Sequence, residues 1–100
     1  MNFIENNYGR QLTLPETAAQ FGISESSLTK KIKIFTNMTF KEYLTKTRIE
    51  AAKSLLISSE KSITEIAYKC GYNNSNFFGD VFKKAVGMSP SSYRKMLTKQ

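Results

Sequence analysis

Two clusters in this 100-residue chain combine hydroxyl, amide and cationic side chains at helical spacing. The first is Ser24-Glu-Ser-Ser-Leu-Thr-Lys-Lys-Ile-Lys-Ile-Phe35. Leu28, Ile32 and Phe35 fall at i, i+4 and i+7 and are predicted to face inward. Ser26, Thr29, Lys30 and Lys33 are then left largely on the opposite face. The second cluster is Asn74-Ser-Asn-Phe-Phe-Gly-Asp-Val-Phe-Lys-Lys84. Phe77, Phe78, Val81 and Phe82 are predicted to pack inward, because four large apolar residues so close together fit a core better than a stacking platform. Asn74, Ser75, Asn76, Gly79, Asp80 and Lys83 remain outside. Such faces suit a partner that offers hydrogen-bonding edges along an anionic backbone. Hydroxyls donate or accept at several base edges, lysine favours guanine O6 and N7, and Asn76 could pair bidentately with adenine. Lys31 and Lys33 are better placed on phosphates.

The overall charge agrees. Lys and Arg number 15 against 8 Asp and Glu, giving a net charge of +7. That balance points to nucleic acid or an anionic membrane surface. The membrane reading is weaker: no apolar run approaches spanning length, tryptophan is absent, and the apolar stripes are needed for a core. The chain has no histidine, no pair of catalytic acids and no phosphate loop, so an enzyme, a metal site or a cofactor is not expected. Cys70 is the single cysteine. It excludes a disulfide scaffold, fits a reducing cytoplasm and reads as a small core filler.

Positioning these faces requires helices that cross closely. Ala18-x-x-x-Gly22 and Ala67-x-x-x-Gly71 repeat one spacing 49 residues apart. An alanine at a helix crossing followed by a glycine at the bend is what a helix-turn-helix needs, since the bend demands positive φ. Thr13-x-x-Glu16, Thr39-x-x-Glu42 and Ser62-x-x-Glu65 read as capping boxes. Ser24, Asn73 or Asn74, and Ser89-Pro90 mark further helix starts. The pattern predicts an all-α chain of about seven helices, near 2–8, 13–21, 25–36, 39–57, 62–70, 74–86 and 89–98. The repeat continues at an offset of 50 through Ile32-Lys33 and Phe82-Lys83, Met38-Thr39 and Met88-Ser89, and Tyr43 and Tyr93. The offset therefore slips by one in the second reading helix or in the turn before it.

The second half, with Ile66-Ala67, Gly71-Tyr72, Phe77-Phe78, Val81-Phe82-Lys83-Lys84, Gly87-Met-Ser-Pro90 and Tyr93-Arg94, resembles the DNA-binding domain of the AraC/XylS family of bacterial transcription regulators. Arg48-x-x-x-Ala52-x-x-Leu55-Leu56 is similar to the family's linker helix, and the resemblance covers nearly the whole chain. It implies a first helix-turn-helix subdomain over 1–38, a linker helix over 39–57 and a second subdomain over 58–100. It also implies sequence-specific binding of double-stranded DNA through two adjacent major-groove segments, with transcription regulated, activation being the better expectation. A linker of about 19 residues spans roughly 28 Å. With the width of each subdomain, that suits reading helices about 34 Å apart, one duplex turn.

The family's base-reading positions map onto Ser26, Thr29 and Lys30. In the second helix, Asn74, Ser75, Asn76 and Asp80 are the expected base contacts. Asp80 departs from the family, which often has arginine there; it either accepts from a cytosine amine, orients a lysine, or pairs with Lys83 or Lys84. Phosphate contacts are expected from Lys31, Lys33, Thr39, Lys83, Lys84, Ser89 and Arg94. Arg48 reads equally as a phosphate contact or as a structural residue bonded to backbone carbonyls. The resemblance further implies RNA polymerase as a partner and an N-terminal sensor or dimerisation domain missing from this chain, which reads as a fragment of a longer cytoplasmic, nucleoid-associated regulator. The alternative is a basic helical protein-interaction module for acidic partners such as RNA polymerase subunits.

Overall fold

The computed structural model describes Ile4 and residues 7–98. Among these, every regular element is an α-helix: α1 (Leu14–Phe21), α2 (Glu25–Thr36), α3 (Phe40–Ser58), α4 (Ile63–Lys69), α5 (Ser75–Val86) and α6 (Pro90–Thr98). Ile4 and Asn7 are also helical, while the rest of the helix expected near 2–8 is a turn at Tyr8 and Gly9 or lies outside the described residues. No described helix is long and apolar enough to cross a membrane.

The predicted start signals form as hydrogen bonds. Thr39 and Ser62 make reciprocal capping boxes with Glu42 and Glu65. Thr13 accepts from the Glu16 amide, but the Glu16 carboxylate lies 2.7 Å from Arg10. Ser24, Asn74 and Ser89 cap α2, α5 and α6. Each bonded cap is worth about 1 kcal/mol of helix stability.

The chain divides into two compact units, Met1–Thr47 and Arg48–Gln100. The boundary falls inside α3, although the sequence segments gave this helix a place of its own. Its halves have different apolar duties. Phe40, Tyr43 and Leu44 join the core of unit 1, formed with Ile4, Leu12, Ala18, Leu28 and Ile32. Ile49, Ala52 and Leu56 are buried in the half that belongs to unit 2.

In unit 1, α1 packs on α2. Ala18 is buried at their crossing, and Gly22 turns the chain with φ +67°. The Ile23 amide donates to the Ala18 carbonyl at 3.1 Å. In unit 2, α4 packs on α5. Ala67 is buried, Gly71 has φ +95°, and the Tyr72 amide donates to Ala67 at 2.9 Å. The repeat thus holds bond for bond. Unit 1 then runs directly into its cap, Gly22-Ile23-Ser24, whereas unit 2 runs Gly71-Tyr72-Asn73-Asn74. Asn73 is the added residue, so the slip lies in the turn and the reading helices keep one frame.

The cores differ in chemistry. Unit 1 is mainly aliphatic around α2. Unit 2 has a ladder of rings: Tyr72–Phe78 at 5.3 Å, Phe78–Phe82 at 5.8 Å and Phe82–Tyr93 at 5.5 Å between centroids. Such tilted pairs add about 0.5–1.5 kcal/mol each beyond the area they bury.

Candidate nucleic-acid interface

The fold presents α2 by burying Leu28 and Ile32, which are 1% and 0% exposed. Ser26, Thr29, Lys30 and Lys33 all reach solvent, and so does Lys31. Phe35 departs from the expectation: it is 77% exposed. Periodicity gives the direction in which Phe35 points and not the neighbours it meets there.

On α5, Phe78 and Phe82 are fully buried and Val81 partly so. Phe77 was also expected inside but is 59% exposed; its ring leans on Tyr72 with centroids 6.0 Å apart. Asn76, Asp80, Lys83 and Lys84 are exposed, and Ser75 is half-buried. Asn74 is the helix cap. Its amide oxygen accepts from the Asn76 and Phe77 amides at 2.8 and 3.0 Å, leaving its NH₂ for a ligand. The ion pairs among the described residues are Arg10–Glu16 and Lys53–Glu50, so Asp80 forms none with Lys83 or Lys84.

The remaining expected phosphate contacts separate into two kinds. Thr39 is exposed and Ser89 half-buried; their hydroxyls accept from Glu42 and Ser92 amides, which keeps the first turns of α3 and α6 in order. Aligned peptide dipoles make such turns attractive to anions. Arg48 and Arg94 instead serve the interior of unit 2. The Arg94 Nε and Nη2 donate to the Leu56 and Ser59 carbonyls at 2.8 and 3.1 Å. Arg94, expected on phosphate, thus holds backbone carbonyls, the kind of role weighed for Arg48. Without it, carbonyls at the end of α3 would lose a charged donor. Arg48 is half-buried with its guanidinium 5.4 Å from the centre of the Tyr72 ring. Burial lowers its pKa from the usual arginine value.

Two contacts had no signal in the motifs. Lys53 stands 6.0 Å from the centre of the Tyr93 ring, and Tyr72 joins the ring ladder to Arg48. Burial raises the Tyr72 pKa and pushes the Cys70 thiol up to about 11, consistent with an inert core thiol. Glu65 shifts downward because it accepts from the Ser62 backbone amide in the capping box.

The geometry is that of two matched probes, Ser26/Asn76, Thr29/Gly79, Lys30/Asp80 and Lys33/Lys83, each on a helix held by its own core. A family model described as a helix-turn-helix domain matches residues 17–96. The chain is 41% identical over 95 residues to an HTH-type transcriptional regulator from Pseudoalteromonas carrageenovora, covering 95% of this chain and 56% of that protein. It is 36% identical over 97 residues to the HTH-type transcriptional activator RhaS of Yersinia pestis (strain Pestoides F), covering 97% of this chain and 36% of RhaS. The solved C-terminal domain of AraT, a response regulator from Geobacillus stearothermophilus, matches with TM-score 0.90 and 38% identity, over 95% of this chain and 79% of that one. The chain spans just over half of the first curated relative and about a third of the second.

Proposed function

This chain belongs to the AraC/XylS family of helix-turn-helix DNA-binding domains, and from that premise we propose that it reads an asymmetric duplex site with α2 and α5 in two adjacent major-groove segments. It is a DNA-binding regulatory domain, not an enzyme. The observation that carries the reading is the repeat itself: two reading faces of one frame, each opposite a buried core. Ser26, Thr29 and Lys30 meet base edges in one segment, and Asn76 leads in the other, flanked by Asn74, Ser75 and Asp80. With its lysine pairing unmade, Asp80 accepts from a cytosine amine. Lys31, Lys33, Lys83 and Lys84 contact phosphates, as do the first turns of α3 and α6 at Thr39 and Ser89. A single chain uses both faces, so the site needs no two-fold symmetry.

The whole protein regulates transcription, with activation the better reading because the relative RhaS is named an activator. Both curated relatives are longer than this chain, which supports a separate sensing or dimerising domain. RNA polymerase is the partner activation requires, and a bacterial cytoplasm is its setting.

Salt titration tests the DNA reading. With about four to six phosphates neutralised, affinity for a preferred duplex falls at least roughly a hundredfold between about 50 and 200 mM salt. Random duplex binds weakly throughout. A flat response, or equal affinity for preferred and random duplexes, would replace this reading with a protein-interaction module.

A further inference from the structure

Phe77 is an apolar ring that unit 2 leaves in solvent at the start of α5. Asn74 caps this helix, so Ser75, Asn76 and Phe77 make up its first turn. Ser75 is half-buried, and Phe78 begins the core. Asn76 and Phe77 are therefore the outward residues of that turn, and Phe77 is 59% exposed. Its place is nonetheless fixed. The Phe77 amide donates to the Asn74 side-chain oxygen at 3.0 Å, and its ring rests against Tyr72 with planes tilted by 56°. Tyr72 is itself 6% exposed and packs on Phe78. One side of the Phe77 ring is thus buttressed by the core while the rest is held outward. A ring held in this way meets a partner with little further loss of side-chain freedom.

The ring stands beside the hydrogen-bonding groups of the reading face. At about 100° per residue, Phe77 lies roughly 20° round α5 from Lys84, roughly 60° from Asp80 and roughly 100° from Asn76. All three are exposed. The N-terminal residues of a reading helix are those that reach base edges.

A phenyl ring brings no hydrogen-bond donor or acceptor. Set against phosphates or polar base edges, it would strip water from them and return no bond. The major groove offers it one apolar group, the C5 methyl of thymine. Neighbouring Cα atoms are about 3.8 Å apart and successive base pairs about 3.4 Å. Phe77 therefore reaches the pair that Asn76 reads or the one beside it. We propose that Phe77 is a specificity-determining residue that selects thymine, by packing its ring on the C5 methyl, in the groove segment read by α5. The proposal rests on α5 lying in the major groove, and it adds an apolar reader to the amides and the acid assigned there. The matching position of unit 1 is Ser27, whose hydroxyl is bonded to that of Ser24 at 3.0 Å. Selection of thymine by a ring in the first turn therefore belongs to one segment only.

The test uses the 100-residue chain and the duplex that it prefers from a random library. Each thymine of that duplex is replaced singly by deoxyuridine, which lacks the C5 methyl and keeps every hydrogen-bonding edge. One replacement, in the segment that Lys30→Ala leaves intact, weakens binding about fourfold, the effect of returning one methyl to water. Phe77→Ala binds the thymine duplex at least about fourfold more weakly and no longer distinguishes it from the deoxyuridine duplex at that position. Equal affinity for thymine and deoxyuridine throughout that segment overturns the proposal, and this is read on the wild-type chain. So does a segment without thymine, or a methyl effect that Phe77→Ala leaves unchanged. A library that returns only the segment eroded by Lys30→Ala rejects α5 as a probe and the proposal with it; that failure shows before any deoxyuridine is introduced.

Discussion

Unit 1 and unit 2 share turns, caps and frame, yet they solve the same packing problem with different side chains. Where unit 1 buries Leu28, Ile32 and Leu44, the matched positions of unit 2 hold Phe78, Phe82 and Arg94. The aliphatic unit closes on a leucine. The aromatic unit closes on an arginine that binds backbone carbonyls at the end of α3. The reading faces diverge too: Thr29 and Lys30 stand where unit 2 has Gly79 and Asp80. Duplicated backbones therefore tolerate separate specialisation. One unit has a cationic outer face on α2; the other has an acid on the matching face of α5 and a ladder of rings in its core.

The largest expected contrast lies in the cores. Phe82→Ala should cost about 3–5 kcal/mol, because the ring stands between Phe78 and Tyr93. Ile32→Ala should cost less, nearer 2–3 kcal/mol, as an aliphatic truncation. Denaturant unfolding measures both, and equal losses would show that the ring ladder adds nothing. The bends come next. Gly71 is buried at positive φ, so Gly71→Val should destabilise by about 2–3 kcal/mol. Gly22 is exposed with open space around it, so Gly22→Ala meets only the φ penalty, about 1 kcal/mol. Unchanged melting of Gly71→Val would put the strain elsewhere.

Arg94→Ala should lower stability by about 1–2 kcal/mol through its unmet carbonyls and leave the salt dependence of DNA binding unchanged. A slope reduced by about 1 would instead return Arg94 to the phosphates. The smallest effects concern reading. Lys30→Ala should relax preference in one segment by on the order of 1 kcal/mol, while Lys84→Ala weakens all sequences alike. Asp80→Lys, which gives unit 2 the matching residue of unit 1, should raise affinity and steepen the salt slope. Binding-site selection with each variant separates these outcomes.

The six described helices were legible to within a residue at most ends because their caps are local chemistry: Ser24, Thr39, Ser62 and Asn74 bond to amides only two or three residues away. The turn glycines were legible for the same reason. Periodicity located the buried Leu28, Ile32, Phe78 and Phe82 but misplaced Phe35 and Phe77, since a helical stripe gives direction and not the extent of the surface it meets. The carbonyl partners of Arg94 were not legible because they lie 35 and 38 residues away in sequence, beyond any local rule. The division of α3 between two units was open to the same periodicity: at about 100° per residue Phe40, Tyr43 and Leu44 fall on one side of the helix and Ile49, Ala52 and Leu56 on the opposite side, each set serving its own core.

The most direct test of paired reading is selection of bound sequences from a random duplex library by the 100-residue chain. The account predicts one non-palindromic site with two conserved segments about one helical turn, roughly 10 base pairs, apart. Lys30→Ala should erode only one of them. A single conserved segment, a palindrome, or erosion of both segments by that one change would contradict it.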